Sequence, residues 1–555
     1  MKPNLPANHP FTALDCPPNT VMKNSLPVLT TPSCSTPRRP SSPARRLALA
    51  GLVLATVLGG SAQAGTMVKA DNIDVLYLGT SWTNLAPPGP TDIGQWDHTV
   101  SAANTTNSLG WDQSWKGIAI VDPAGAVTIN AGNTVTLGDS SGSVYYVVDM
   151  TNATVDLTLN CGVALSAPGG SQEWYVGSGR TVTVNGLVSG ANQSYGLHKQ
   201  GAGTLIMTND NNTYPGVTDI RDGVLICSSL KDKSTPCSLG APTSDNYGTI
   251  GIGGKDANGV SHVGTLRYVG PGDTSNRRLW MYGGTGSGAI DASGTGPLVI
   301  YGSGGAVFAG GSAAGFTKTL TLKGDNTDAN TIGGTISDQS TTQKTALAKE
   351  GAGKWVLTVA NPYTGGTTVR GGTLEIDANG SVKGNVSVAN GAVFQLDNAN
   401  ALAATAVLTL DGSPSAGTVN LNFGGTQTIN ALYFGLIQQA AGTWGAVGST
   451  ASHTNGAFAG PGLLDVLSGA TCSQTNAVLS VSNNLNGTIT LTFQGSPQAQ
   501  YYVVGSTNAA ALMSNWLPVA DSTTTVTNLS GRWQVTVTNT APQKFYRAVA
   551  ALPCS

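Results

Sequence analysis

Residues able to act as nucleophiles, acids, bases or metal ligands are sparse in this 555-residue chain. Ser140 lies in Gly138–Gly142, a match to the G-x-S-x-G pattern. In hydrolases this pattern forms a strand-to-helix turn that exposes the serine hydroxyl, and the acid and the histidine follow along the chain. Here no helical pattern follows, and a chain rich in glycine and serine contains such a match by chance. We therefore interpret these residues as a turn.

The histidines lack the spacing that metal ligation on one element requires. None has a second histidine near enough for an H-x-x-x-H pair, so a zinc site would need long-range assembly. We interpret each histidine as a surface or corner residue and predict neither a bound metal nor a cofactor. The five are His9, His98, His198, His262 and His453.

Two oxygen-rich stretches, Asn209–Asn212 and Asp325–Asp328, invite comparison with calcium-binding corners. Calcium-binding solenoids carry a G-G-x-G-x-D series, which is missing here. We interpret both stretches as asparagine-rich corners.

Stacking of coils could still bring acidic and basic groups together. The candidates are Tyr268 with Asp273, Arg277 and Arg278, and Lys349 and Glu350 with Arg370. Polysaccharide lyases and glycoside hydrolases need such clusters on one face. Charge is spread thinly along this chain, however, so we predict no catalytic residue, and a polysaccharide-degrading enzyme is the alternative hypothesis.

Four of the ten tryptophans fall within a short stretch near the N-terminal end: Trp82, Trp96, Trp111 and Trp115. Exposed indole rings could stack on sugars. A cap over the open end of a repeat stack, which otherwise exposes its core, needs large apolar side chains as well. We favour the cap, over about residues 72–120.

Composition excludes several classes of protein. Only 10% of the residues are charged and the formal net charge is −2, whereas glycine numbers 74. Nucleic-acid binders need a positive footprint, coiled coils need dense charge, and collagen needs glycine at every third position. What remains is a large, exported type of β protein.

The first 64 residues have the features of a Sec-type signal peptide. Arg45 and Arg46 precede an apolar stretch, 47–60, and Ala62–Ala64 supplies the small residues of a cleavage site. The stretch is shorter than the ~20 residues that cross a bilayer. We predict cleavage after Ala64, no transmembrane segment in the mature chain, and a location outside the cell or on its surface, outer-membrane association included.

Export permits disulfides among the five cysteines that follow Ala64. Cys227 and Cys237 close a short loop, and Cys472 and Cys554 bracket the last segment, so these are the two candidate bridges. Cys161 is left over, and we interpret it as a buried thiol.

Internal repetition is the most informative feature of the chain. Residues 199–226 read KQGAGTLIMTNDNNTYPGVTDIRDGVLI, and residues 349–376 read KEGAGKWVLTVANPYTGGTTVRGGTLEI; they align with one gap. Each copy contains short alternating strands separated by glycine and asparagine, which suit tight corners. Such a unit cannot bury its apolar face alone, and stacked copies form a solenoid. The shared positions are Lys199/Lys349, Gly201/Gly351, Gly203/Gly353, Tyr214/Tyr363 and Gly223/Gly372.

Both copies resemble the autotransporter-associated β-strand repeats of bacterial passenger proteins, with Pro215 and Lys354-Trp355 as departures from the usual pattern. With weaker blocks, the resemblance covers about residues 72–467. It implies an all-β, right-handed parallel β-helix over 65–468. Fewer than 100 residues follow 467, so we expect a passenger-type protein without the C-terminal membrane barrel.

The sequence pattern changes after this region. Residues 469–555 contain about seven short strand patterns, which suggests a small β-sandwich-like domain and implies no chemistry. The sequence as a whole predicts a non-enzymatic adhesion or structural protein. Polysaccharide or cell-surface components are its expected partners, and a binding module displayed by the C-terminal domain is a third hypothesis.

Overall fold

The fold is known from a computed structural model, which describes most of the chain after residue 64. The described ranges are 65–138, 146–166, 170–255, 260–282, 287–303, 307–309, 315–469, 478–495, 500–510, 516–519, 522, 524–525, 531–538 and 544–550. The signal peptide predicted over 1–64 therefore lies outside the described residues, as do Cys472 and Cys554.

The described residues of 65–469 form a parallel β-helix, because short strands separated by corners pair with the equivalent strands of the coils before and after them. Within a strand, alternate side chains are buried and half-exposed, as in Thr204–Met207 and Thr373–Ile376. This period of two follows from the pleat of a strand. The predicted all-β parallel β-helix is confirmed.

Three stacked faces make up the solenoid. The first sheet has eleven strands: Thr66–Val68, Ile93–Trp96, Gly117–Ile120, Tyr146–Met150, Gln172–Val176, Leu197–Gln200, Thr218–Ile220, Ile250–Ile252, Leu279–Met281, Val307–Ala309 and Ile336–Ser337. The second sheet has fifteen: Thr106–Asn107, Val127–Ile129, Leu157–Leu159, Thr181–Val184, Thr204–Met207, Gly223–Cys227, Gly264–Tyr268, Gly288–Ala292, Thr317–Lys323, Lys344–Lys349, Thr367–Val369, Val386–Val388, Val407–Leu410, Ala431–Phe434 and Ile437–Gln438.

The third face is divided into two sheets. Four strands form its N-terminal part: Gln113–Trp115, Thr134–Leu137, Gly162–Leu165 and Val188–Gly190. Eight strands form its C-terminal part: Asp273–Ser275, Leu298–Ile300, Asn330–Ile332, Lys354–Leu357, Thr373–Ile376, Val393–Leu396, Val419–Leu421 and Phe458–Ala459. The chain between the two parts includes the four-residue helix Asp245–Gly248.

Smaller elements complete this region. Two strand pairs are Gly254–Lys255 with Ser261–His262 and Ala360–Asn361 with Ser381–Val382. A four-stranded sheet contains Thr426–Ile429, Leu463–Val466, Gly442–Gly445 and His453–Thr454. Two short 3₁₀ helices are Gly79–Ser81 and Ala102–Asn104.

The two sequence repeats are the same local unit placed on different faces. In the first copy the strands alternate between the first and second sheets, whereas in the second copy they alternate between the second sheet and the third face. The corner glycines Gly223 and Gly372 occupy equivalent positions with φ of 66° and 59°. A Cβ atom at these positions would come within 2.4 Å of the Gly203 oxygen and 2.2 Å of the Gly353 oxygen. Only glycine fits both conditions.

The lysine that both repeats share also has a structural role. Lys349 is fully buried, and its Nζ donates to the carbonyl oxygens of Glu350, Gly351 and Gly371 at 2.7–2.9 Å. Lys199 does the same with the carbonyls of Gly201 and Asp222. Each lysine thus satisfies carbonyl groups that the corners leave without a backbone donor.

The two repeat tyrosines are fully buried as well. Tyr214 and Tyr363 each share a hydrogen bond with the hydroxyl of the threonine four residues later, Thr218 at 2.8 Å and Thr367 at 2.6 Å. Burial raises the pKa of both phenols above the ordinary value. The repeat-defining residues are therefore parts of the scaffold.

Seven strands follow in the described part of 478–550, and they form two antiparallel sheets. One contains Val478–Asn483, Thr488–Gln494 and Arg532–Thr538; the other contains Gln500–Ser506, Leu517–Pro518, Thr524–Thr525 and Phe545–Ala550. A separate apolar cluster that includes Phe493, Tyr501 and Trp533 is their core. The domain boundaries stay predictions.

Candidate functional site

Most of the residues that the sequence suggested for chemistry have structural surroundings. Of the G-x-S-x-G match only Gly138 lies within the described residues. His98 is exposed beside Asp122, and His453 stacks on the ring of Trp444 with centroids 4.8 Å apart. His262 is half-buried near Asp222. These three histidines lie apart from one another, on separate strands or corners.

The oxygen-rich corners use their oxygen atoms on the chain's own donors. Asp210 accepts hydrogen bonds from the hydroxyls of Ser228, Ser229 and Ser238, and Asn326 accepts one from the backbone of Asp328. This supports the interpretation as asparagine-rich corners. Among the described residues, no group of three or more histidine, cysteine or acidic side chains is arranged to hold a metal ion.

The acid and base groups proposed from the sequence do not form a shared groove. Arg277 is buried and donates to the carbonyls of Leu239 and Gly240 at 2.7 Å. Arg278 pairs with Asp245 at 2.8 Å instead. Arg370 and Glu350 form an exposed ion pair, while Lys349 points into the core.

The tryptophan-rich segment divides into buried and exposed members. Trp82, Trp96 and Trp115 are fully buried, with the ring centroid of Trp82 lying 5.7 Å from each of the other two. Trp111 is 71% exposed. Stacking of sugars on this segment is therefore excluded for the three buried rings, and their packing supports the cap hypothesis.

The described cysteines are free thiols, and all three are buried: Cys161, Cys227 and Cys237. The bridge predicted between Cys227 and Cys237 is thus not formed in this structure. Instead, the Cys237 thiol donates to the carbonyl of Gly240 at 3.3 Å and lies 3.5 Å from the Arg277 guanidinium.

These thiols are expected to resist modification while the protein is folded. Burial raises the pKa of Cys161 to about 12 and raises that of Cys227 above its ordinary value, and only the thiolate reacts. Maleimide should therefore label the three residues after denaturation and not before, as read by mass spectrometry. A Cys227–Cys237 linked peptide from the exported protein would contradict the free-thiol state.

Four charged side chains do gather on the outer face of the first sheet, contrary to the expectation from the thin spread of charge. Glu173, His198, Asp219 and Arg221 come from three successive strands and the corner after them, and we call them the charged cluster. His198 is not the surface or corner residue expected from the sequence. It lies within a strand, and its side chain is 12% exposed.

Hydrogen bonds connect the members of the charged cluster. The Nδ1 atom of His198 lies 2.7 Å from Glu173 Oε1, and its Nε2 atom lies 3.0 Å from Asp219 Oδ2. Arg221 donates to the same Glu173 oxygen at 2.9 Å. Gln200 donates to the other Glu173 oxygen. The imidazole therefore bridges two carboxylates and has no nitrogen left for a substrate.

The hydrogen bonds and charges within the charged cluster favour the charged forms of His198 and Glu173. Burial alone would lower the pKa of His198, but the hydrogen bonds to Asp219 and Glu173 raise it above the ordinary value. Burial would raise the pKa of Glu173, but the hydrogen bond and charge of His198, with Arg221, lower it. A general acid needs a raised carboxyl pKa and a general base needs a free imidazole. The cluster provides neither.

The charged cluster predicts a pH dependence of stability. Because His198 has a raised pKa when folded, its contribution is complete below its ordinary value of 6.5 and is lost as the pH rises through the raised value. The unfolding midpoint should fall as the pH rises above about 6.5, and His198→Gln should make this fall smaller. An equal slope in both proteins, measured by urea unfolding, would contradict the bridged geometry.

A shallow groove of about 240 Å³ lies elsewhere, along the outer face of the second sheet. Its lining includes Ala346, Gly365, Gly366, Thr368 and Arg370. Apart from Arg370, these residues are small and uncharged, so the groove offers shape and hydrogen bonds and no acid–base pair.

The sequence could not reveal the charged cluster because its members are distant along the chain. Glu173 and His198 are 25 residues apart, and Glu173 and Arg221 are 48 apart. Only the register of the coils brings them together. A recurring distance of about 25 residues between charged strand positions is the one signal that could have found them.

Comparison with known proteins supports the predicted resemblance. Residues 197–226 and 347–376 match the family model described as passenger-associated-transport-repeat. A 128-residue stretch is 38% identical to a protein named adhesin BmaC autotransporter from Brucella suis biovar 1 (strain 1330). The stretch is 23% of this chain and 4% of that relative, so the chain spans a small part of the relative's length. No solved structure matches.

Proposed function

We propose that this chain, an autotransporter passenger-type repeat protein, is exported and acts as an adhesin at the cell exterior through contact with polysaccharide or other surface components. The observation that carries the proposal is the pair of passenger-type repeats within a long parallel β-helix, together with the relative named as an adhesin. Among the described residues, no helix is both long enough and apolar enough to cross a membrane.

The outer faces of the solenoid suit contact over an extended surface. Half-exposed threonine, asparagine and glutamine side chains recur along the strands, for example Thr183, Asn420 and Gln395. They offer donors and acceptors at the ~4.8 Å repeat of neighbouring strands. Polymers of hydroxylated sugars present complementary groups at regular intervals, which is why polysaccharide is our first choice of partner.

A secreted polysaccharide-degrading enzyme is the alternative, and the charged cluster is the observation that favours it. Two carboxylates, an imidazole and a guanidinium converge there, all joined by contacts of 4.0 Å or less. The lowered pKa of Glu173 and the raised pKa of His198 argue for fixed charges. We therefore rank binding above catalysis.

The test is retention of the exported, purified protein on immobilised polysaccharides and on whole bacterial and host cells. We expect retention on at least one polysaccharide or cell surface. Failure to bind any of them would overturn the proposal. A variant lacking 472–555 separates the solenoid from the C-terminal region: retained binding assigns adhesion to the solenoid, and lost binding by a folded variant assigns it to the C-terminal region.

A further inference from the structure

An outward-facing row of side chains on the first sheet connects the charged cluster to two aromatic pairs. The strand register aligns Glu173, His198, Asp219, Gly251 and Trp280 on five successive strands. Glu173, His198 and Trp280 are half-exposed and alternate with buried neighbours, which places their side chains on the outer side of the sheet. Asp219 is the register partner of His198 and contacts it on this side, although every residue of its strand is buried.

Aromatic rings lie at both ends of this row. Tyr146 and Tyr175 have ring centroids 4.9 Å apart, and Trp280 and Tyr282 have centroids 6.2 Å apart. All four rings are half-buried. The six strands from Tyr146–Met150 to Leu279–Met281 are consecutive in the sheet, so the row extends over about 24 Å at ~4.8 Å per strand. That length suits an oligosaccharide.

Asp219 has an unused acceptor between the aromatic pairs. Its side chain is 5% exposed, and its Oδ2 atom contacts His198. The Oδ1 atom is buried and has no hydrogen-bond partner. Leaving a buried acceptor without a donor is unfavourable, so a donor supplied from outside would be favourable here.

Gly251 makes the space beside this acceptor. A Cβ atom on Gly251 would come 2.3 Å from Asp219 Oδ1 and 2.3 Å from Cε2 of Tyr282. The Tyr282 ring therefore lies in the hollow above the carboxylate and covers it. Burial and the charge of Asp219 raise the pKa of Tyr282 to about 12, so the phenol stays neutral. Rotation of this ring would open the hollow to a ligand.

We propose that the row from Tyr146 to Trp280 binds a neutral, hydroxyl-rich glycan whose sugar rings stack on the aromatic pairs and whose hydroxyl donates to Asp219 Oδ1 when Tyr282 swings aside. This inference rests on the proposed contact with polysaccharide and names its site and ligand class. Aromatic faces with a few placed polar groups are the usual composition of such a site.

The charge of the site favours neutral sugars over uronates. The formal charges of Glu173 and Asp219 are balanced by Arg221 and His198, so the cluster has no surplus positive charge to attract an anion. A uronate carboxylate bound in the same position would lie next to the unpaired Oδ1 atom of Asp219, and two neighbouring negative charges repel each other.

The experiment measures affinity of the exported protein for cellohexaose, maltohexaose and hexagalacturonate by calorimetry. We expect binding of a neutral hexasaccharide, at least tenfold weaker binding of hexagalacturonate, and a loss of at least tenfold for Trp280→Ala and for Tyr282→Ala. Tyr433→Ala is the matched control, because Tyr433 is a half-buried tyrosine on the second sheet. It should change affinity less than twofold.

The outcomes separate this inference from the proposed function. Neutral binding that survives both Trp280→Ala and Tyr282→Ala, or tighter binding of hexagalacturonate, would overturn the site and leave polysaccharide contact standing. No binding of any glycan by the unaltered protein would overturn this inference, and failure to bind whole cells as well would overturn the proposed function. Circular dichroism and thermal melting of each variant confirm that a loss of affinity does not come from unfolding.

Discussion

Replacing Trp82 with alanine is expected to lower the free energy of unfolding by about 4 kcal/mol, the middle of the range for deleting a buried tryptophan. Trp82 packs edge-on against both Trp96 and Trp115, and its indole nitrogen donates to the carbonyl of Leu76 at 2.8 Å. Alanine would remove both ring contacts and leave a cavity among the first described coils of the solenoid.

Trp111→Ala is the matched control for this prediction, because Trp111 comes from the same segment and is 71% exposed. It should change stability by less than about 0.5 kcal/mol. Urea unfolding followed by tryptophan fluorescence measures both variants. A repeat protein loses stability locally when an end is weakened, so limited proteolysis should cut Trp82→Ala first near its N-terminal coils. Equal stability of the two variants would contradict the cap.

Replacing Lys349 with methionine is expected to be the second largest perturbation, a loss of about 2 kcal/mol. Methionine keeps the length of the side chain but leaves three partly buried carbonyl oxygens without the lysine donor, and an acceptor that water cannot reach costs ~1–3 kcal/mol when it is unsatisfied. Removing the desolvated ammonium offsets part of this loss, because burial lowers the pKa of Lys349 to about 8 and so opposes its charge.

Lys344→Met provides the control on the same strand, since Lys344 is exposed. Its effect should stay below about 0.5 kcal/mol. Thermal melting of the two variants, measured side by side, tests this difference in stability. If Lys349→Met were as stable as Lys344→Met, the repeat lysine would not be the group that satisfies the corner, and its recurrence at Lys199 would need another explanation.

The fold was predictable because several separate features of the repeats indicate it. Alternating strands, corner glycines such as Gly223 and Gly372, and the paired Lys199 and Lys349 all indicate the same stacked unit, and the structure confirms the parallel β-helix. The sequence did not indicate that the second copy is shifted by one face, because that shift depends on how many residues lie in the corners between the copies.

The candidate site was not predictable for a related reason. His198 has no charged neighbour within one residue on either side apart from Lys199, which is buried. Its partners Glu173 and Asp219 come from the coils before and after it, and the length of each coil sets which residues align. Spacing along the sequence can show which functional groups lie close together within one coil. It does not show which groups of neighbouring coils meet.

The same geometry explains why a clustered set of charges does not by itself make an enzyme. In the charged cluster both nitrogens of His198 are already paired with the carboxylates of Glu173 and Asp219, and Asp219 Oδ1, which has no hydrogen-bond partner, is suited to receive a hydroxyl hydrogen bond. A binding role uses these fixed charges as they are, whereas hydrolysis or elimination would first have to break the network.

The most direct test of binding without catalysis is incubation of the exported protein with each polysaccharide that retains it, followed by measurement of reducing ends and unsaturated products. We predict retention of the protein on the polysaccharide and no product above a buffer control, with Glu173→Gln indistinguishable from the unaltered protein in this assay. Release of product that disappears in Glu173→Gln would contradict the account and establish a polysaccharide-degrading enzyme.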